Sequence, residues 1–277
     1  MDSVKRAISG FLEEHPSVSE AVLSVLRPRE FQLYNIGAAK TGTTSIAGLF
    51  GRFRRGHERR IYESAVQIAA RWDGYLSDDE LAAWLHERDR RLWLECDSCQ
   101  TLAWFSDILA REFPEARFML TVRDCYSWLR SIVDHHANKP ALSDAQIALR
   151  KRFYGTHSGD AASAPLREAG LYCIEGYLSY WVRHNTFVLD SLPDSRLLVL
   201  PTQRISGSEA AIAAHVGIDA SRLKSDRSHR NPRLKKRHIL EEVPREAVAE
   251  KIDALCRPTI DRLQALPALR GYDAAGV

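Results

Sequence analysis

Apolar and polar residues alternate along Phe31-Gln-Leu-Tyr-Asn-Ile-Gly37, then the apolar spacing lengthens to every third and fourth residue at Ile46, Leu49, Phe50 and Phe53. A period of two is that of a strand and a period of 3.6 that of a helix, so this stretch predicts strand, turn, helix. Arg91-Leu-Trp-Leu-Glu95 and Arg117-Phe-Met-Leu-Thr-Val122 read as two more strands, with Thr101 to Phe113 as the helix between them. Parallel neighbours need such a crossover, so the order predicts a parallel sheet. A fourth strand, Arg196-Leu-Leu-Val-Leu200, follows a long helix whose Leu171, Ile174, Leu178, Trp181, Val182 and Leu189 share a face. Helices over 65–72 and 78–88, and one from about Pro244 kinked near Pro258, supply further layers. The expected fold class is α/β, a three-layer α/β/α arrangement with a central parallel sheet.

Residues 1–28 keep helical spacing on either side of Pro16 and read as an N-terminal helical arm. Residues 137–170 are the most loop-like stretch, a lid candidate in an α/β enzyme. No repeat or linker divides the 277 residues, so a single domain over 1–277 is expected. A hydrophobic share of 45% supports a large core. Lys+Arg 39 against Asp+Glu 36 leaves +3, too small an excess to imply a nucleic-acid partner, so any anion site is local. Five cysteines, an odd number, argue for a reducing compartment over a disulfide scaffold. With no apolar run near a membrane span, and Lys5, Glu13, Glu14 and His15 interrupting the start, the chain is read as soluble and cytoplasmic, without a membrane partner. Its oligomeric state is left open.

Candidate chemistry begins at Gly37-Ala-Ala39-Lys40-Thr41-Gly42-Thr43-Thr44, between a predicted strand and a predicted helix. There, backbone N–H groups and a helix start can cradle phosphate oxygens, a P-loop-like phosphate-binding loop. Against the G-x-x-x-x-G-K-[ST] pattern of nucleoside-triphosphate sites, Gly37, Gly42 and Thr44 match, but Thr43 stands where the lysine belongs and Lys40 lies inside the loop. A lysine there meets the 5′-phosphate region of a nucleotide and stabilises charge on a leaving phosphate oxygen. A second element runs from Phe113 to Ser131: a strand ends on Arg123-Asp124, and Ser131 follows about two helical turns on. A guanidinium and a hydroxyl so placed suit a second phosphate.

Together these stretches resemble the sulfotransferases that use 3′-phosphoadenosine-5′-phosphosulfate (PAPS): Asn35 to Thr44 is similar to the 5′-phosphosulfate element, Phe113 to Ser131 to the 3′-phosphate element. The resemblance implies PAPS as donor, adenosine 3′,5′-bisphosphate as product, no metal, and a small-molecule or glycan hydroxyl (or amine) as acceptor. It implies Lys40 on the bridging and 5′-phosphate oxygens, loop donors from Ala39, Thr41, Gly42, Thr43 and Thr44, and Arg123 with Ser131 on the 3′-phosphate. The family's late basic loop corresponds to Arg227–Arg237, which lacks the expected glycine pair; Arg230 or Lys235 is expected to reach the 3′-phosphate.

In-line transfer also needs a base near the attacking atom. Several family branches keep it at a central strand end, so Asp97 is the first choice and Glu95 the second. His135, with His136 beside it, and Glu63 are reserves. Cys96-Asp-Ser-Cys99 has no second ligand pair for zinc and reads as structural thiols. Trp72, Tyr75, Trp84, Tyr154, Tyr172 and Trp181 are either core or the wall of an acceptor pocket. Two other classes stay open: a nucleotide kinase or NTPase, for which Asp124 would hold Mg²⁺ and Thr43 is an objection, and a non-catalytic nucleotide-binding module.

Overall fold

Five short strands, all parallel, run through the middle of the molecule in the order β2-β3-β1-β4-β5. The computed structural model describes residues 28–138, 144–155, 160–224 and 237–277. The strands are β1 (Leu33–Asn35), β2 (Arg55–His57), β3 (Cys96–Ser98), β4 (Arg117–Val122) and β5 (Leu197–Pro201). The helices are α1 (Thr43–Leu49), α2 (Ile61–Trp72), α3 (Asp78–Leu92), α4 (Ser106–Glu112), α5 (Cys125–Ala137), α6 (Asp144–Tyr154), α7 (Ala164–Glu168), α8 (Ile174–Ser191), α9 (Glu209–Val216) and α10 (Arg245–Ala265). No helix among the described residues is long and apolar enough to cross a membrane.

Alternation along the strands divides the core in two. Leu33, Cys96 and Met119 face α1 and α9 with Ile46, Phe50 and Ile212. Tyr34, Phe118, Leu120 and Val122 face the other layer, with Trp128, Tyr177 and Trp181 from α5 and α8. Fully buried Phe105 and Phe118 each add about 1.5–3 kcal/mol by leaving water. From β1 the chain serves the β3 edge first and then returns to β4 and β5 on the other side. This reversal leaves a crevice at the carboxyl ends of the strands, where α/β sheets hold ligands.

The structure moves two predicted boundaries. Arg91 and Leu92, expected in a strand, belong to α3, which starts at a Ser77–Glu80 capping box and ends on Trp93 at φ 45°. Leu81, Leu85, Arg88 and Leu92 fall at helical spacing, and the Arg91–Glu87 ion pair spans 2.8 Å on the same helix. The strand therefore begins only at Cys96. Residues 137–170, expected as loop, carry α6 and α7 in their described parts. Strand β2 escaped the apolar pattern because only Gly56 of Arg55-Gly-His57 is buried, and it pairs on one side only, with β3. Pro258 lies inside α10, which runs on past it. The N-terminal arm over 1–28 lies outside the described residues, Pro28 excepted.

On α8, His184 sets its Nε2 2.9 Å from the Ile36 carbonyl. Burial pushes this imidazole down to about 4, so the ring is neutral and donates to that carbonyl. Unfolded histidine titrates near 6.5, so below that pH the unfolded chain binds one proton more. The stability this buried ring allows is complete above about pH 6.5 and drains away as the pH falls towards 4, on the order of 3 kcal/mol in all. Urea unfolding between pH 7 and 4.5 should show this one-proton slope, and His184→Gln should remove it; an unchanged slope in the variant would place the proton elsewhere.

Candidate active site

The loop after β1 passes so close to β4 that a Cβ on Gly37 would sit 2.0 Å from Thr121 Oγ1, so only glycine fits there. Lys40 at φ 69° and Gly42 at φ 98° are left-handed, which folds the chain over before α1. Its carbonyls are held from behind. Thr41 Oγ1 donates to Ala38 at 2.7 Å, Trp128 Nε1 to Ala39 at 2.9 Å and Thr202 Oγ1 to Thr41 at 2.8 Å. Arg123 Nη1 donates to the Lys40 carbonyl at 3.4 Å, and Trp181 Nε1 holds the carbonyl of Arg123 itself at 3.1 Å. The first-turn amides at Thr43, Thr44 and Ser45 have no partner within the helix, and these residues line the crevice.

The crevice is a cavity of about 500 Å³. Lys40, Thr43, Thr44, Arg123, Ser131 and His135 all line it, brought together as the spacing of the two sequence elements implied, with Ala39 and Gly42 beside them. Thr41 does not line it; its side chain is buried against Thr121, 2.8 Å away. Burial, then the charge of Arg123, holds the Lys40 ammonium below the usual lysine range, and burial likewise lowers Arg123. Neither cation makes an ion pair among the described residues. The cavity thus concentrates positive charge, which Glu58 and Asp134 offset only in part, since the Lys40 titration stays lowered.

Neither Asp97 nor Glu95, the first two choices for a base, lines the cavity. Asp97 is buried on the α3 side of the sheet and ion-paired with Arg88, itself buried and bonded to the Arg59 carbonyl at 3.0 Å. Glu95 accepts the Arg54 backbone N–H at 2.9 Å and pairs with the Arg54 guanidinium at 3.4 Å. Glu63 is exposed and paired with Arg60 at 3.0 Å.

The carboxylate that lines the cavity is Glu58, directly after β2. Its backbone sits at φ 53°, and its N–H donates to the Ser98 carbonyl at 2.9 Å. Gln100 gives its Nε2 to Glu58 Oε1 at 2.9 Å and takes the Ala39 amide on Oε1 at 3.1 Å, tying the carboxylate to the phosphate loop. His57 lies 3.1 Å from both Thr43 Oγ1 and Thr44 Oγ1, and burial lowers its titration. The sequence carried only a weak signal for Glu58 and His57, a Gly-His-Glu run on an unrecognised edge strand. Gln100, Thr202 and Gln203 stand alone in sequence and carried none.

Asp124 is committed as the cap of α5, accepting from Ser127 N at 2.8 Å and from Gln203 Nε2 at 3.1 Å. Cys96 and Cys99 are buried thiols; burial raises both, Cys99 to about 11. No group of metal-ligating side chains occurs among the described residues. Of the six singled-out aromatics, Tyr154 lines a smaller cavity beside the first, and none lines the first. Trp181 is core, and Tyr75 is 78% exposed. Arg230 and Lys235 lie outside the described residues. Arg237, just after them, has its backbone N–H 3.2 Å from Asp134, one turn past Ser131 on α5.

No curated protein matches the chain. A crystal structure of a sulfotransferase from Alicyclobacillus acidocaldarius is similar at 13% identity and a TM-score of 0.49, covering 85% of this chain and 94% of that one. The sulfotransferase-domain family matches residues 32–204, which take in the loop after β1, Glu58, Arg123 and Ser131. With more than half of its length matched, the chain belongs to the sulfotransferase family.

Proposed function

We propose that this sulfotransferase takes the sulfuryl group from PAPS and delivers it to a hydroxyl of a small acceptor, releasing adenosine 3′,5′-bisphosphate. The observation that carries this reading is the pair Lys40 and Arg123: two half-buried cations, unpaired among the described residues, over a loop of open amides. They fit a donor with phosphates at both ends of its ribose. Lys40 and the Thr43 and Thr44 amides serve the 5′ end; Arg123 and Ser131 serve the 3′-phosphate. When bound, the donor supplies an activated S–O bond. As the acceptor oxygen bonds to sulfur, that S–O bond breaks, its electron pair goes to the 5′-phosphate oxygen, and Lys40 meets the new charge.

Glu58 is the base in this reading and receives the acceptor's proton, aimed by Gln100 and by its strained backbone. His135 lines the same cavity and is the second reading for that role. A kinase reading is less well supported, since Thr43 replaces the lysine and Asp124 is spent on a helix cap. The five free thiols agree with a reducing, cytoplasmic compartment.

A thermal-shift comparison tests the donor: adenosine 3′,5′-bisphosphate without magnesium should stabilise the protein more than ATP with magnesium, and the reverse order would favour a kinase. Lys40→Ala should cut kcat by at least ~100-fold, from loss of the charge at the leaving oxygen. Glu58→Gln should lower kcat by about 100-fold with bisphosphate affinity kept; full activity would pass the role to His135. Asp97→Asn should instead cost about 3–5 kcal/mol of stability by stranding Arg88, while the folded protein still turns over. On the alkaline side, kcat/KM should decline below the usual lysine range, because the depressed Lys40 loses its proton early. Arg123→Gln should move that limb to higher pH, and an unmoved limb would assign it to another group.

A further inference from the structure

Next to the large cavity lies an annex of about 110 Å³. Ala39, Tyr62, Gln100 and His135 line both spaces, so the annex opens onto the cavity beside the phosphate loop. Its far wall comes from α6 and α8: Leu149, Phe153, Tyr154 and Tyr180. The rings brace one another, with Phe153 and Tyr180 edge to face at 5.6 Å and Tyr154 and Tyr180 at 5.0 Å. An enclosed apolar cavity of about 150 Å³ takes up benzene; this one is smaller, about 110 Å³, and holds a single ring only because the ring's hydroxyl end can extend into the cavity it joins. A sugar would strand its hydroxyls against these aromatics.

Beside the polar side chains at the mouth and floor, Gln100, Thr101, His135 and His136, the α6 wall carries one permanent charge. Arg150 on α6 is half-buried in the annex wall and has neither an ion pair nor a side-chain hydrogen bond among the described residues. Its charge reaches the phenols of Tyr154, Tyr172 and Tyr177, none of which is an anion at neutral pH. An alkyl or neutral aryl acceptor would leave that guanidinium without an anion beside it. An acceptor carboxylate would give it the bidentate partner its fork is shaped for.

We infer that the annex binds a one-ring hydroxyaryl acid, its hydroxyl at the mouth shared with the donor cavity and its carboxylate on Arg150. This rests on the sulfuryl-transfer reading for the fate of the hydroxyl and narrows the acceptor to an anionic phenol. Arg150 touches the substrate without taking part in bond exchange, and so fixes specificity.

Calorimetric titration of the full chain decides it, using 4-hydroxyphenylacetate and 4-methylphenol, which share ring and hydroxyl and differ in the acid. Each is titrated with and without adenosine 3′,5′-bisphosphate. The acid should bind about tenfold more tightly than the neutral phenol, as a charge-assisted contact implies. Arg150→Gln should shrink that ratio to within about twofold, leaving the neutral phenol and the bisphosphate unaffected, and Arg150→Lys should restore part of it. Equal binding of the two phenols, no binding of either, or a ratio unmoved in Arg150→Gln overturns the inference. Unchanged bisphosphate affinity in the variants shows that they are folded. Failure of the wild type to bind the bisphosphate counts against the donor reading alone, since titration without nucleotide still decides the annex.

Discussion

Two positive side chains are kept partly out of water at the ends of neighbouring strands, and much of the surrounding structure serves to hold them there. Desolvation works against both charges, as the lowered titration of Lys40 and Arg123 records. A flexible loop would relieve this by turning Lys40 outward. Here the loop's carbonyls are occupied by donors from the deep side of the sheet, Trp128, His184 and Thr202. Arg123 both contributes charge and donates to the Lys40 carbonyl. The electrostatic cost is thus met by packing and hydrogen bonds, which hold both charges in place.

The acidic residues near the site divide by the same logic. Asp97 and Glu95 neutralise Arg88 and Arg54 inside the structure, where a carboxylate without a partner would be costly. Glu58 faces the cavity, held by an amide side chain that leaves its negative charge in place. The two buried pairs lie away from the cavity, whereas Glu58 lines it. Lys40, Glu58 and Arg123 therefore form a site of mixed charge in which attraction between the lysine and the glutamate is one of the few forces supporting the ammonium.

The glycine-flanked loop after β1 and the Arg123–Ser131 element were legible because their signals are local. Gly37 and Gly42 mark a turn, Lys40 sits within it, and about two turns of α5 bring Ser131 to the cavity that Arg123 lines. The annex was not legible: Tyr62, Leu149, Arg150, Phe153 and Tyr180 come from three helices, and residues 137–170 gave too little periodicity to reveal α6. The strand leading to Asp97 was drawn too early, since Arg91 and Leu92 satisfy a helical and an alternating pattern equally well.

By itself the sequence determined the α/β order, the loop with its displaced lysine and the arginine at the end of β4, because each depends on residues adjacent in the chain or one helical period apart. Only the tertiary structure decided which carboxylate faces the cavity. That choice depends on β2 pairing with β3, which carries Glu58 to Gln100, and on Arg88 of α3 reaching Asp97. Charge compensation across the sheet is a property of the packed layers, and no spacing within one strand encodes it.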